Sequence, residues 1–219
     1  GLSDRFRVIT CDLRRWRGGF TLDTLVDDLS RLLTSLKVYS AAVVGHSLGG
    51  LVALRFALSY PERCPALVLC STTPSMPSLT EVELLSYLLP GEPSFDGLFA
   101  RLWKRLFGPE PPPLDDLDPR SQLIASMADL DRATLNRRLS ILHETDLTPV
   151  LGDIAVPTLI VASSGDRPYI LAGSQLLDER IPNSALEVIE NTDQFYFYTR
   201  HDLLNAVLAD YIAEKIARA

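Results

Sequence analysis

The sequence predicts an α/β fold, a mostly parallel sheet flanked by helices with a helical cap inserted. Three observations predict it. Short apolar runs alternate with amphipathic stretches from Arg5 to Cys70, and again from Pro157 to Arg218. Between these blocks the chain is punctuated by proline and patterned for helices. At the centre of the first block a strand pattern runs into Gly45-His46-Ser47-Leu48-Gly49 and straight out into a helix pattern. Alternating strand and helix units specify a parallel sheet covered on both faces.

The elements follow in order. Arg5 to Asp12 alternates as a strand and ends in a basic, glycine-containing turn, Arg14 to Gly19. Leu22, Leu25, Val26, Leu29, Leu32, Leu33 and Leu36 recur at spacings of three and four, one apolar stripe on a helix, with Thr21 placed to cap its first turn. Ala41 to Val44 is a strand-like run stopped by Gly45, Leu51 to Leu58 a helix ended by Pro61, and Ala66 to Cys70 a buried strand. The segment 74–148 then reads as a helical cap, with helices over Glu81 to Leu89, Phe95 to Phe107, Ser121 to Leu130 and Ala133 to Glu144. The loop Gly108 to Pro119 holds three consecutive prolines and four acidic residues, and proline lacks the donor that a helix interior or central strand requires. Strand logic returns at Pro157 to Ala162, followed by a helix over Leu171 to Arg180, a strand over Leu186 to Glu190 and a closing helix from Asp202 to Arg218. Leu203, Val207, Tyr211 and Ile212 are expected on the inward face of that last helix. The core is therefore expected to comprise residues 1–73 and 149–219, with 74–148 inserted.

Composition narrows the function classes. The 219 residues are 47% hydrophobic and 22% charged, ordinary globular usage for one domain with an insertion. A net charge of −7 without a basic cluster argues against grasping a phosphate backbone, so no nucleic-acid partner is expected. No apolar run approaches the roughly 18 residues of a membrane helix, and no leader opens the chain. Gly1 stands where a start methionine is expected, so the chain reads as a processed product or as carrying a tag remnant. Cys11, Cys64 and Cys70 form no CxxC pair and sit without a histidine cluster. They read as small apolar fillers in or near strands of a protein from a reducing compartment, the cytoplasm.

The chemistry is carried by Val43-Val44-Gly45-His46-Ser47-Leu48-Gly49-Gly50. A strand that turns into a helix within one residue forces that residue into a strained backbone conformation, and small neighbours are needed where strand and helix approach. Ser47 is thereby presented at the carboxyl edge of the sheet, and the Leu48 N–H faces a developing oxyanion.

With these residues the chain resembles the α/β-hydrolase superfamily, in particular capped bacterial esterases and C–C hydrolases. The likeness runs through Cys11-Asp12-Leu13-Arg14, the Ser47 motif, Ile154-Ala155-Val156-Pro157-Thr158-Leu159, Arg180-Ile181-Pro182-Asn183 and the C-terminal helix. It implies a Ser–acid–His triad with Ser47 as nucleophile and Asp166, in Ser163-Ser164-Gly165-Asp166-Arg167, as the acid. The triad histidine of the family falls on Gln194, within Asn191-Thr192-Asp193-Gln194-Phe195. A carboxamide can neither accept the serine proton nor return it, and loss of that histidine costs about 10⁶ in kcat where it has been measured. His46, beside Ser47, is expected to point away from the nucleophile; His143 on the last cap helix and His201 at the start of the closing helix are the other imidazoles, and Asp193 could add only charge. The family's first three strands, with their second oxyanion donor, have no counterpart before Arg5. Either the chain is the larger part of a longer protein, or the Arg5 strand has moved beside the Ala41 strand. The basic-glycine loop is altered as well, to Arg15-Trp16-Arg17-Gly18-Gly19.

Two functions follow from the resemblance. One is a serine hydrolase of carboxylic esters, thioesters or similar small acyl compounds, weakened or silenced at Gln194. The other is a non-catalytic protein binding a small apolar or acyl ligand, or an interaction scaffold, in which Asp166 and Gln194 are polar anchors. An acyltransferase also uses Gly-His-Ser-x-Gly, but its acidic residue and arginine clamp find no place here. No metal or organic cofactor is implied, and the oligomeric state is not readable.

Overall fold

The computed structural model describes residues 1–15, 18–76, 132–193 and 196–216. Among the described residues four strands, β1 (Val43–His46), β2 (Leu67–Cys70), β3 (Thr158–Gly165) and β4 (Ser184–Asp193), form one sheet in the order β1-β2-β3-β4. Every pair is parallel, with Val43 opposite Leu67, Leu67 opposite Thr158 and Thr158 opposite Ser184. The helices are α1 (Leu22–Ser35), α2 (Leu48–Ser59), α3 (Arg132–Glu144), α4 (Pro168–Arg180), α5 (Tyr196–Thr199) and α6 (His201–Ile216). The α/β architecture with a parallel sheet and flanking helices is as the sequence predicts.

Period-two alternation divides the core between the two faces of the sheet. Leu67, Leu69 and Ile160 face Leu25, Leu51, Phe56 and Leu177, contributed by α1, α2 and α4. Val68, Cys70, Leu159 and Val161 face Tyr196, Leu204, Leu208 and Ile212, from α5 and α6. The strands β2 and β3 are thus apolar on both sides, as a twice-covered parallel sheet requires. Thr21 caps α1 as its position implies, its hydroxyl accepting the Thr24 N–H at 3.2 Å.

Several expectations need correction. Arg5 to Asp12 is not a strand. A strand exists only through a ladder, and among the described residues no strand pairs with this segment or with the outer edge of β1. Val8 and Val44 are correspondingly half exposed, at 48% and 46%. The segment is held instead by side chains: Arg14 forms a two-pronged ion pair with Asp28, at 2.6 Å in both arms, and Arg138 of α3 donates to the Leu13 carbonyl at 2.6 Å. Cys11 lies on this segment and is exposed, whereas Cys64 and Cys70 are the buried fillers expected. On α6 the inward stripe is Leu204, Leu208 and Ile212, with Leu203 turned outward. Val207 and Tyr211 pack against the same cluster, as expected, so that of the four expected inward positions only Leu203 is displaced, by its neighbour Leu204. The strands β1, β3 and β4 run further than their apolar cores, because their carboxyl ends carry Gly45-His46, Ser163-Ser164-Gly165 and Asn191-Thr192-Asp193, polar or small residues that still make the ladder. Of the helices expected for a cap, Ala133 to Glu144 is found within α3, while Glu81 to Leu89, Phe95 to Phe107, the Gly108 to Pro119 loop and Ser121 to Leu130 lie outside the described residues.

Arg63 ties the amino-terminal half together. Its guanidinium donates to Ser30 Oγ at 2.7 Å, to the Tyr39 carbonyl at 3.0 Å, and to Thr34 Oγ1 and the Val38 carbonyl at 3.3 Å each. These acceptors close the turn that carries the chain from α1 to β1. Replacing Arg63 with Ala should lower stability by about 2 kcal/mol, because partly buried carbonyls lose a charged donor. The expected reading is a lower urea midpoint at unchanged slope; an unmoved midpoint would contradict it. Burial pushes the Cys64 and Cys70 thiols up to about 12, so neither forms appreciable thiolate near neutrality. Titration of the native protein with a thiol-specific chromophoric disulfide at pH 8 should therefore find Cys11 alone, and all three cysteines after unfolding.

Candidate active site

The site is built at the carboxyl edge of the sheet, where β1, β2, β3 and β4 end side by side. β1 passes into α2 through the single residue Ser47, whose φ of 51° and ψ of −119° lie in a region that non-glycine residues adopt only under constraint. The constraint is visible on both sides. The Ser47 N–H donates to the Cys70 carbonyl at 3.1 Å, extending the ladder to β2, and the Ser47 carbonyl accepts the Gly50 N–H at 2.8 Å and the Thr72 hydroxyl at 2.8 Å. The turn closes only because side chains are missing beside it. A Cβ on Gly45 would collide with the Gly49 carbonyl, and one on Gly50 would lie 2.5 Å from Thr72 Oγ1. Ser47 itself is exposed. Leu48 opens α2, so its N–H belongs to the first turn, where amides have no acceptor within the helix.

Asp166 stands at the end of β3 and is 7% exposed. Its Oδ2 accepts the Ser71 hydroxyl at 2.7 Å and the Ser163 N–H at 2.9 Å, and its own N–H closes a tight turn onto the Ser163 carbonyl at 3.0 Å. Two donors on one oxygen favour the carboxylate over the acid. The ends of β3 and β4 are joined as well: Ser163 Oγ lies 2.9 Å from Thr192 Oγ1, and the Asn191 N–H donates to Ser164 Oγ at 2.9 Å. An open cleft of about 390 Å³, lined by Asn191, Thr192, Thr199 and Arg200, flanks this loop.

Gln194 and the side chain of Asp193 lie outside the described residues, as do Trp16 and Arg17 of the altered loop. The loop is nevertheless pinned just beyond position 194, since Tyr196 is fully buried and donates its hydroxyl to the Val161 carbonyl at 3.1 Å. Burial raises that phenol well above its ordinary range, so it serves as a neutral donor. The imidazole of His46 packs against Phe197 with ring centroids 4.2 Å apart, a packing role. His143 is in the last turn of α3, its Nε2 buried and without a hydrogen bond among the described residues. His201 is exposed at the start of α6.

The structure brings the expected Ser47, Leu48 and Asp166 to one edge of the sheet, and beside them lie Ser71 and Tyr196, which the sequence reading did not single out. The hydroxyl cluster Ser71-Thr72-Thr73 directly after a wholly apolar strand was the available signal for the first. Nothing in the run Phe195-Tyr196-Phe197 distinguished one ring from its neighbours.

Similarity to known proteins agrees with this geometry. A RutD protein of Serratia proteamaculans, assigned as a carbamate hydrolase, is 31% identical over 205 residues, covering 84% of this chain and 73% of that protein. The pimeloyl-[acyl-carrier protein] methyl ester esterase of Aeromonas hydrophila is 28% identical over 227 residues, covering 96% of this chain and 87% of the esterase. Among solved structures, a hydrolase from Pseudomonas aeruginosa superposes with a TM-score of 0.71 at 25% identity, over 89% of this chain and 72% of that one. Residues 1–207 match the alpha/beta hydrolase family as a whole. With its serine at a strained strand-to-helix turn and a buried carboxylate at the neighbouring strand ends, the chain belongs to the alpha/beta hydrolase family.

Proposed function

We propose that this protein is related to the serine esterases and thioesterases of small acyl compounds and carries an incomplete triad. Ser47 is the nucleophile, the Leu48 N–H the oxyanion donor and Asp166 the acid, while Gln194 stands where a basic histidine is required. In this reading residues 74–148 roof the site. The observation that carries it is the backbone of Ser47, held at φ 51° and exposed between β1 and α2. Such strain costs about 1–3 kcal/mol and persists where it presents a side chain for chemistry.

For an acyl substrate, Ser47 Oγ would attack the carbonyl carbon and its proton would have to leave. A carboxamide accepts no proton near neutrality, so hydrolysis by the unaltered chain is weak or absent. Gln194 favours a second reading, in which the same pocket binds a small apolar or acyl ligand without turning it over and the carboxamide serves as a hydrogen-bonding anchor.

A fluorophosphonate probe should label Ser47 slowly, and the label should vanish in Ser47→Ala; no label in the unaltered protein at high probe concentration would contradict a nucleophile at this turn. Substituting Gln194→His restores a base. Turnover on short p-nitrophenyl esters should rise by several orders of magnitude, up to about 10⁶-fold, the factor that loss of the imidazole costs. If turnover does not rise in the folded variant, the ligand-binding reading replaces the hydrolytic one.

A further inference from the structure

We infer that Ser71 is a positioning residue of this site: its hydroxyl holds the Asp166 carboxylate in one orientation at the edge of the sheet. The inference rests on reading Asp166 as the acid of the site. Ser71 follows β2 directly and is 4% exposed. Its φ of 39° is left-handed, a conformation in which a serine persists only when its surroundings impose it. Those surroundings are specific. The Ser71 N–H donates to the Val161 carbonyl at 2.9 Å, and the same carbonyl receives the Tyr196 hydroxyl at 3.1 Å. With its backbone fixed there, Ser71 reaches across to β3 and places Oγ 2.7 Å from Asp166 Oδ2. An ionised carboxylate only accepts, so the single hydroxyl proton is directed at Asp166.

The consequence for the chemistry is specific. In a complete triad the imidazole itself helps to orient the acid. Here the orientation is supplied from within the sheet by Ser71 and the Ser163 N–H, 2.9 Å from the same oxygen.

The test is the titration of Asp166, followed by carboxyl-carbon NMR and assigned with Asp166→Asn. The unaltered protein is compared with Ser71→Ala, which keeps the backbone constraint and removes the donor, and with Ser71→Gly, which removes the donor and relieves the left-handed strain. A hydrogen bond to the charged form favours that form, so its loss should raise the midpoint by about one pH unit in both variants. A Ser71 that merely terminates β2 would leave Asp166 untouched; an unmoved midpoint in folded Ser71→Gly overturns the inference, and this variant carries the test even if Ser71→Ala fails to fold. Labelling of Ser47 is read on the same samples. Its absence in the unaltered protein counts against the hydrolytic reading while the midpoint still decides the role of Ser71.

Discussion

The approach of β1 to α2 at Gly45 governs the geometry of everything at the carboxyl edge. With no side chain there, the Gly49 carbonyl comes into direct contact with the strand, and the single residue between strand and helix has to take a backbone conformation that its own chemistry disfavours. The cost is met by neighbours. Cys70 and Thr72, which flank Ser71 at the end of β2, hydrogen-bond the two sides of Ser47, and Ser71 between them bonds Asp166. One short stretch of chain therefore sets both the Ser47 turn and the Asp166 carboxylate. This is why two residues 119 positions apart in sequence, Ser47 and Asp166, are referred to the same four-residue strand.

The polar groups beneath the site are arranged to stay in one protonation state. Cys70 and Tyr196 are buried, and burial disfavours their charged forms. Both remain neutral donors near neutrality. Asp166, by contrast, receives two hydrogen bonds on one oxygen, the arrangement that favours a charge. The described neighbours Cys70, Ser71 and Tyr196 thus meet this carboxylate as neutral groups.

Much of this was legible in the sequence because it rests on local rules. The apolar stripe and Thr21 mark α1, the wholly apolar runs mark β2 and β3, and the small residues around Ser47 mark the turn. The failures have a common origin in partners that pattern does not reveal. Arg5 to Asp12 alternates like a strand but has no ladder among the described residues, and alternation alone forms none. Leu203 was placed inward by its spacing, yet Leu204 takes the core position, because pattern does not decide which of two adjacent leucines finds a partner. Ser71 was overlooked because its role comes from a residue 95 positions away. Strand extension past the apolar core was missed for a related reason: ladder hydrogen bonds are made by the backbone, and Ser163 or Thr192 makes them as well as valine does.

The side-by-side joining of the β3 and β4 ends has a mechanical corollary. Ser163 with Thr192, and Ser164 with Asn191, act as two rivets between neighbouring loops. The turn bearing Asp166 and the end of β4 consequently shift as a unit. A push on either loop is therefore shared by both, and neither is displaced without breaking these two hydrogen bonds.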